Sequence, residues 1–466
     1  MNSGNKGSPR PTLFLLSLLL IVGFALRVFL SQYWTYKGDF ETWKWWAAGI
    51  SKVGFSQFYD RYWCDYMPGY LYVLRLLEGV NRAFPKLPDE ILFKLPSNIS
   101  DLGISVLIYL TLGRITSLRT ASLAALAYFF NPASLSNSTF WGQVDSVHAL
   151  PLLLSVLLGL WGYLIPSAVF AGIAFMIKPQ SLVVLPVLGL FVIWYVIERR
   201  KEGASAARAY GPGLGFFAAF AATVLILAMP FVCDGLSGGG FTSIFMNPVI
   251  LVKERFFTAY DHYQFTSLNA FNLWGMLAMW KSDQIRFLGI TYQRWGTILF
   301  CLFYALIFSL LFFSLLIAKF KPGHEIHPSK KGYLSMDGAG LTIYTFSAVT
   351  LVLFALFLFV TRVHERHFLP AVAFFAMIAF RSRRYWFFYL AVSLAYTFNL
   401  FYAYIELAPR VMESARPYLI VPASTLKPFI PGIVLLLLVI FFLVLLDFVR
   451  DSLTLYRRGT GATERR

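Results

Sequence analysis

The 466-residue chain is 58% hydrophobic and 14% charged, with a mean hydropathy of +0.65. Soluble domains run about 45–50% apolar and about 25% charged, so an ordinary soluble protein is excluded. The formal net charge of +17 raises nucleic acid as a partner. In a chain this apolar, however, the placement of the cations relative to a membrane matters more than their number, and no nucleic acid is expected.

In chain order, Lys6 and Arg10 precede an apolar run from Leu13 to Leu30. No small-residue cleavage site follows and the run is long for a signal peptide, so it reads as the first membrane helix, 12–31. Further spans are expected at 97–113, 120–136, 146–164, 166–179, 181–197, 211–232, 297–318, 340–360, 367–380, 385–404 and 428–449. The run Pro428–Phe448 shows the pattern: about 20 mostly apolar residues, or about 30 Å of helix, enough to cross a bilayer. Shorter or re-entrant pieces are expected at 67–84 and 266–280. The fold class is therefore all-α, a polytopic transmembrane helical bundle of about 11–13 helices. One domain spans 1–450, with interfacial helices in its outer loops, and a frayed tail covers 451–466. Cys64, Cys233 and Cys301 make no disulfide framework and lack metal-ligand spacing.

Lys and Arg resist translocation and mark cytoplasmic loops. Under strict alternation one side holds the N-terminus, Arg114/Arg119, 198–208, 319–331, 381–384 and the tail from Arg450, with about 20 Lys and Arg in about 70 residues. The other side holds 32–96, 233–296, 361–366 and 405–427, with about 18 in about 160 residues. Both termini are thus expected to be cytoplasmic, and the long aromatic-rich loops 32–96 and 233–296 to lie outside.

Polar residues at membrane depth or in tight outer turns are costly and call for a reason. Five groups stand out, all on or near the outer side. Asp39 and Glu41 emerge beside a cluster of Trp and Tyr; Asp39 suits a general base or a helix N-cap. Asp65-Tyr66-Met67-Pro68-Gly69-Tyr70 carries a Pro-Gly turn signal. Gln143-Val144-Asp145 leads into His148, with Asp145 and His148 on one helix face; they suit acceptor or sugar binding, or a charged helix start. Lys178-Pro179-Gln180 lies between two apolar runs, where the lysine either snorkels or binds an anion. Finally Arg362, His364, Glu365, Arg366 and His367 crowd one short turn. Two arginines and two histidines around one glutamate suit a phosphate. A solvated turn and a metal site are the rivals, although the ligand set for a metal is thin. Asn98-Ile99-Ser100 and Asn137-Ser138-Thr139 match the glycosylation pattern but lie at expected helix ends, close to the membrane.

With these residues in place, the chain resembles the GT-C superfamily of membrane glycosyltransferases. It looks most like the bacterial polyprenyl-phosphate-sugar enzymes that share features with the dolichyl-phosphate-glucose glucosyltransferases. The resemblance covers most of the chain. It rests on Asp39 in the first outer loop, Met67-Pro68-Gly69-Tyr70, Trp141-Gly142-Gln143-Val144-Asp145 and Lys178-Pro179-Gln180. It also rests on Ser267-Leu268-Asn269-Ala270-Phe271-Asn272-Leu273-Trp274 and His364-Glu365-Arg366-His367-Phe368-Leu369-Pro370.

The resemblance implies inverting transfer of a hexose, mannose or glucose, from a polyprenyl-phosphate-linked donor to an acceptor hydroxyl on a lipid, glycan or protein outside the cell membrane. It implies Asp39 as catalytic base. Many members carry adjacent acids there, whereas Glu41 stands two residues on and is a second candidate. Asp145, Gln143, Lys178, Gln180, Arg362, His364, Glu365, Arg366 and His367 are the candidate substrate and lipid-phosphate residues. No cofactor and no obligatory metal are expected, and membrane lipids are the surroundings. The competing class is a multi-pass transporter or flippase, which would place charged residues along its path. Against it stand the lack of an internal repeat, the expected lack of paired broken helices at matching positions, and the gathering of the acids at one face.

Overall fold

A bilayer core offers the backbone no hydrogen-bond partner, so apolar runs satisfy their own amides as helices. The computed structural model of the chain describes residues 9–233, 241–319, 338–411 and 422–459. The loop lysines Lys321, Lys330 and Lys331 and the last residues of the tail lie outside the described residues.

The first helix, α1 (Pro9–Leu30), leads to α2 (Lys37–Val53), the turn α3 (Phe58–Arg61) and α4 (Pro68–Ala83). Next come α5 (Asp89–Ile115), α6 (Leu118–Phe129), the turn α7 (Pro132–Ser134), α8 (Asp145–Leu160) and α9 (Leu164–Ile177). After α10 (Leu185–Lys201) and α11 (Ala206–Ala228) the chain forms α12 (Phe241–His262) and the short α13 (Leu273–Ala278). The last part holds α14 (Tyr292–Lys319), α15 (Gly338–Phe359), α16 (Leu369–Ala376), α17 (Arg383–Val411), the turn α18 (Ala423–Leu426) and α19 (Ile430–Gly459). A two-stranded hairpin, Arg286–Phe287 with Ile290–Thr291, precedes α14.

Eight described helices are long and apolar enough to cross a membrane, and α8 and α9 are apolar but shorter. The chain is thus an all-α, multi-pass membrane protein. Its inside-out surface agrees: α1, α11 and α14 are only 22%, 17% and 22% buried along their apolar windows, whereas α15 is 83% buried and runs through the middle.

Two expected spans are not continuous helices. The span 120–136 is α6, of 12 residues, then α7 and a π-helical turn Leu135–Trp141. The span 367–380 contains α16, of 8 residues, between 3-10 turns at Glu365–Phe368 and Ala379–Arg381. Broken backbone at membrane depth is tolerated where protein covers it. Here it does: α16 is buried throughout, and the Asn131 side chain accepts from the Ala133 amide at 2.8 Å while donating to Tyr389 and Ser393. Of the shorter pieces, 67–84 is α4, whereas 266–280 contains only the short α13. The expected tail does not fray at Arg450, since α19 continues to Gly459.

Side-chain pairs sort the helix ends without reference to the basic loops. Arg381 pairs with Asp451 at 2.6 Å, Arg384 pairs with Asp447, and the Tyr344 hydroxyl meets both Ser314 and Ser452. The end of α14, the start of α15, the start of α17 and the end of α19 therefore share one end of the bundle, as strict alternation requires. In the last turn of α1, Arg27 meets Asp101 of α5 at 2.7 Å, a fully buried ion pair. Tyr128 of α6 donates to Asp101 and Arg27 donates to Ser134, so three helices are tied by groups with no access to water. Asn98 and Asn137, the two glycosylation candidates, are fully buried and serve this interior instead.

Candidate active site

Asp39 sits in the first turn of α2, whose N-cap position is Tyr36, without a side-chain cap. Asp39 is therefore not the cap. Its Oδ2 accepts from Trp141 Nε1 at 2.9 Å and from the Gln143 amide Nε2. Both bonds fall on the same oxygen.

Trp141 and Gln143 reach Asp39 because of the turn that carries them. Gly142 adopts φ 87°, and both its amide and that of Gln143 donate to the Asn137 carbonyl at 3.1 and 2.8 Å. A Cβ at Gly142 would lie 2.9 Å from Lys94 Cγ, so glycine is required there twice over. Buried Lys94 donates to the carbonyls of Ser31 and Phe140 at 2.7 and 2.8 Å. Ser97 donates to the Gln143 carbonyl at 2.6 Å. One face of α5 thus clamps the end of α1 to the turn that presents Gln143.

Asp145, fully buried, opens α8, where a negative charge suits the helix dipole. Its Oδ1 meets Lys178 Nζ at 2.5 Å. Lys178 ends α9 in extended geometry, φ −143° and ψ 124°, as the residue before Pro179 must. The start of α4 presses on the same point: a Cβ at Gly69 would come 2.4 Å from the Met176 carbonyl oxygen. The Asp65–Gly69 stretch is thereby laid against the Lys178 turn.

The 361–368 turn is held from two sides. Arg362 N donates to the Phe265 carbonyl and Leu268 N to the Val363 carbonyl, both at 3.0 Å. Asn399 of α17 donates to the Asn269 carbonyl at 2.6 Å and accepts from Phe271 N. Tyr396 donates to the Arg366 carbonyl at 2.9 Å and accepts from Asn137 at 3.1 Å. That tyrosine joins the Gln143 turn to the Arg366 turn.

The Asp65–Met67, Ile177–Val183, Phe256–Tyr263 and Leu356–His367 stretches border a cavity of about 300 Å³, whose lining does not include Asp39, Gln143, Asp145 or Glu365; the volume is at the lower end for ligand sites. Lys178, Gln180, His364, Arg366 and His367 form its cationic and polar side, with Asp65, Tyr66 and Tyr263 beside them. Leu182, Val183, Phe256, Leu356, Phe357 and Val360 form an apolar wall. Burial works against the Arg366 charge, but Asp39 and Glu365 facing it hold its proton affinity above the usual value. Burial pushes Glu365 up to about 7 against the pull of Arg366, 3.3 Å away. Burial lowers His364, and Arg366 and Lys178 add to the shift, so its ring is neutral near pH 7.

Several buried atoms here lack any protein partner: Gln143 Oε1, Asp145 Oδ2, Gln180 Oε1, Glu365 Oε2 and Arg366 Nε. Buried polar groups are nearly always satisfied; of these residues Gln180 and Arg366 line the cavity, while Asp145 and Glu365 are joined to its Lys178 and Arg366. Among the described residues no group of three or more His, Cys, Asp or Glu is placed to hold a metal ion.

Two candidates have other work. The Glu41 side chain is 59% exposed and meets Lys44 at 3.7 Å, away from the Asp39 bonds. Lys44 is in turn drawn to Asp89 at 2.7 Å. Arg362 borders the cavity, but its guanidinium is matched by Asp283 at 2.6 Å and Asp261 at 3.1 Å and lies over the Tyr260 ring at 4.2 Å. With φ 64°, it clamps the 260–283 segment to the turn and is held by two acids, where Lys178 and Arg366 are each held by one. Its partner Asp283 carried no signal in the sequence, and neither did Lys94; Arg27 and Asp101 did, as charges inside the expected spans 12–31 and 97–113, but nothing there showed that they pair. No protein-family model and no curated protein sequence matches this chain.

Proposed function

We propose that this chain is a membrane glycosyltransferase of the GT-C type, moving a hexose from a polyprenyl-phosphate donor to an acceptor hydroxyl on the outer side of the membrane. The observation that carries this reading is the shape of one cavity. Lys178, Arg366 and neutral His364 face an apolar wall, at the same end of the bundle where Trp141 and Gln143 hold Asp39.

In the proposed reaction the phosphate rests against Lys178 and Arg366, and the first isoprene units lie along Leu182, Val183 and Phe357. Asp39 takes the acceptor proton as the acceptor oxygen bonds to the anomeric carbon. The bond from that carbon to the phosphate oxygen breaks, and its electron pair leaves with the phosphate. The phosphodiester becomes a phosphomonoester, and fixed cations aimed at the developing charge lower the barrier. Asp145 positions Lys178 and Glu365 positions Arg366, while Gln180 and His367 complete the polar side. Glu41 and Arg362 are left out. A transporter would place its charged groups near the midplane, whereas these gather at one end.

The test is transfer of labelled sugar from synthetic polyprenyl-phosphate mannose and glucose into membrane extracts. Incorporation by the wild type, reduced at least about 100-fold in Asp39→Asn, is the expected outcome. No incorporation from either donor, together with movement of the lipid across reconstituted vesicles, would favour the transporter instead.

A further inference from the structure

Asp65 is the one carboxylate among the described residues that line the cavity. In a pocket built for an anion it is out of place, because it repels the phosphate that Lys178 and Arg366 attract. It is also firmly held. The Tyr59 hydroxyl donates to the Tyr66 carbonyl at 2.8 Å, and Arg255 of α12 donates to the Cys64 carbonyl at 3.1 Å. The flanking residues therefore cannot easily swing the acid away.

An ionised carboxylate is acceptor-only, so it needs donors, and hydroxyls of a neutral sugar supply them. Asp65 lines the same cavity as Lys178 and Arg366, so it lies beside the proposed phosphate site. A hexose carried by a phosphate held there would share the cavity with the Asp65 carboxylate. Tyr263 stands opposite, its hydroxyl 3.5 Å from Asp65 Oδ2, loose enough for a sugar hydroxyl to compete for that oxygen. The Tyr263 ring is braced edge-on by His364, with centroids 4.9 Å apart.

We infer that Asp65 and Tyr263 form the subsite that reads the hydroxyls of the donor sugar, selecting neutral hexoses with free hydroxyl groups and leaving the lipid phosphate to Lys178 and Arg366. The inference rests on the donor reading above and assigns part of its specificity.

The experiment measures kcat/KM for the wild type, Asp65→Asn and Tyr263→Phe. The donor used is whichever of polyprenyl-phosphate mannose and glucose is active, together with its monodeoxy analogues. Inhibition by sugar-free polyprenyl phosphate is measured in parallel. A site that binds a hydroxyl rejects the analogue lacking it by about 100-fold or more. The wild type should therefore show one position of that size. In Asp65→Asn the parent donor should fall by a similar factor, and the penalty at that position should shrink below about 3-fold. Inhibition by polyprenyl phosphate should be unchanged or tighter, since a repulsive charge has gone. Tyr263→Phe should lower the same penalty in part. An unchanged deoxy profile in Asp65→Asn would overturn the inference, as would equal weakening of parent donor and sugar-free phosphate. If sugar-free polyprenyl phosphate fails to bind the wild type, the donor reading itself falls, and this inference with it.

Discussion

Asp145 and Lys178 meet at 2.5 Å with side chains 0% and 7% exposed, joining the first residue of α8 to the last turn of α9. Lys178→Met leaves a buried carboxylate alone, which costs about 3–5 kcal/mol, whereas replacing both partners by apolar residues is often near neutral. The single variant should therefore unfold at lower temperature in detergent. The double variant Asp145→Leu/Lys178→Met should recover most of that loss without recovering transfer. Wild-type thermal stability in Lys178→Met would show that the pair does not matter to the fold.

Glu365 introduces a pH dependence of known sign. Burial raises its carboxyl from 4.5 to about 7. Between those values the folded protein holds a proton that the unfolded chain has released. Stability therefore falls as pH rises through that window. Asp65, also raised by burial, acts in the same direction. The thermal midpoint should drop from about pH 5 to about pH 8 in the wild type, and drop less in Glu365→Gln. Equal slopes in the two proteins would show that Glu365 is not the group responsible.

Arg362 and Arg366 should behave differently although both line the cavity. Arg362→Ala strands fully buried Asp283 and should lose about 3–5 kcal/mol of stability, most of it restored in Arg362→Ala/Asp283→Ala. Where folded, it should bind polyprenyl phosphate within about 3-fold of wild type, because its guanidinium is spent on Asp283 and Asp261 and removing a contact the ligand does not use leaves binding nearly unchanged. Arg366→Ala should weaken that binding by at least about 10-fold, the loss of a charge-assisted contact. A competition assay with sugar-free lipid decides between them, and weakening by Arg362→Ala alone would reverse the assignment.

Gly69 tests the packing of the Asp65 turn. Alanine there would push a Cβ to 2.4 Å from the Met176 carbonyl, and overpacking of this kind costs about 1–3 kcal/mol. Gly69→Ala should lower the melting temperature and the affinity for polyprenyl phosphate together, since the strain falls on the backbone beside Lys178. A fall in stability with unaltered affinity would uncouple α4 from the cavity.

Much of the fold was legible because lipid imposes a local rule: a spanning helix needs about 20 apolar residues in succession. The eight long helices follow that rule. The broken elements 118–141 and 365–381 do not, because neighbouring helices surround them and their freed backbone groups find side chains such as Asn131. Sequence could not foresee that, since Tyr389 and Ser393 lie more than 250 residues away.

For the site, the motifs named Asp39, Gln143, Asp145, Lys178 and the 362–367 turn, since charge at membrane depth is conspicuous in any apolar chain. What they could not do is tell equivalent charges apart. Arg362 and Arg366 both border the cavity and differ in their partners: Asp261 and Asp283 hold the first, whereas Glu365 holds one nitrogen of the second and leaves its Nε unpartnered. Glu41 and Asp39 leave the same helix turn, one toward water and one toward Trp141. Composition and apolar periodicity determined by themselves that this chain is a multi-pass helical protein with its polar groups massed in a few turns. Tertiary structure alone decided which of those groups pair with one another and which line the cavity, because ion pairing depends on partners that folding brings from distant parts of the chain.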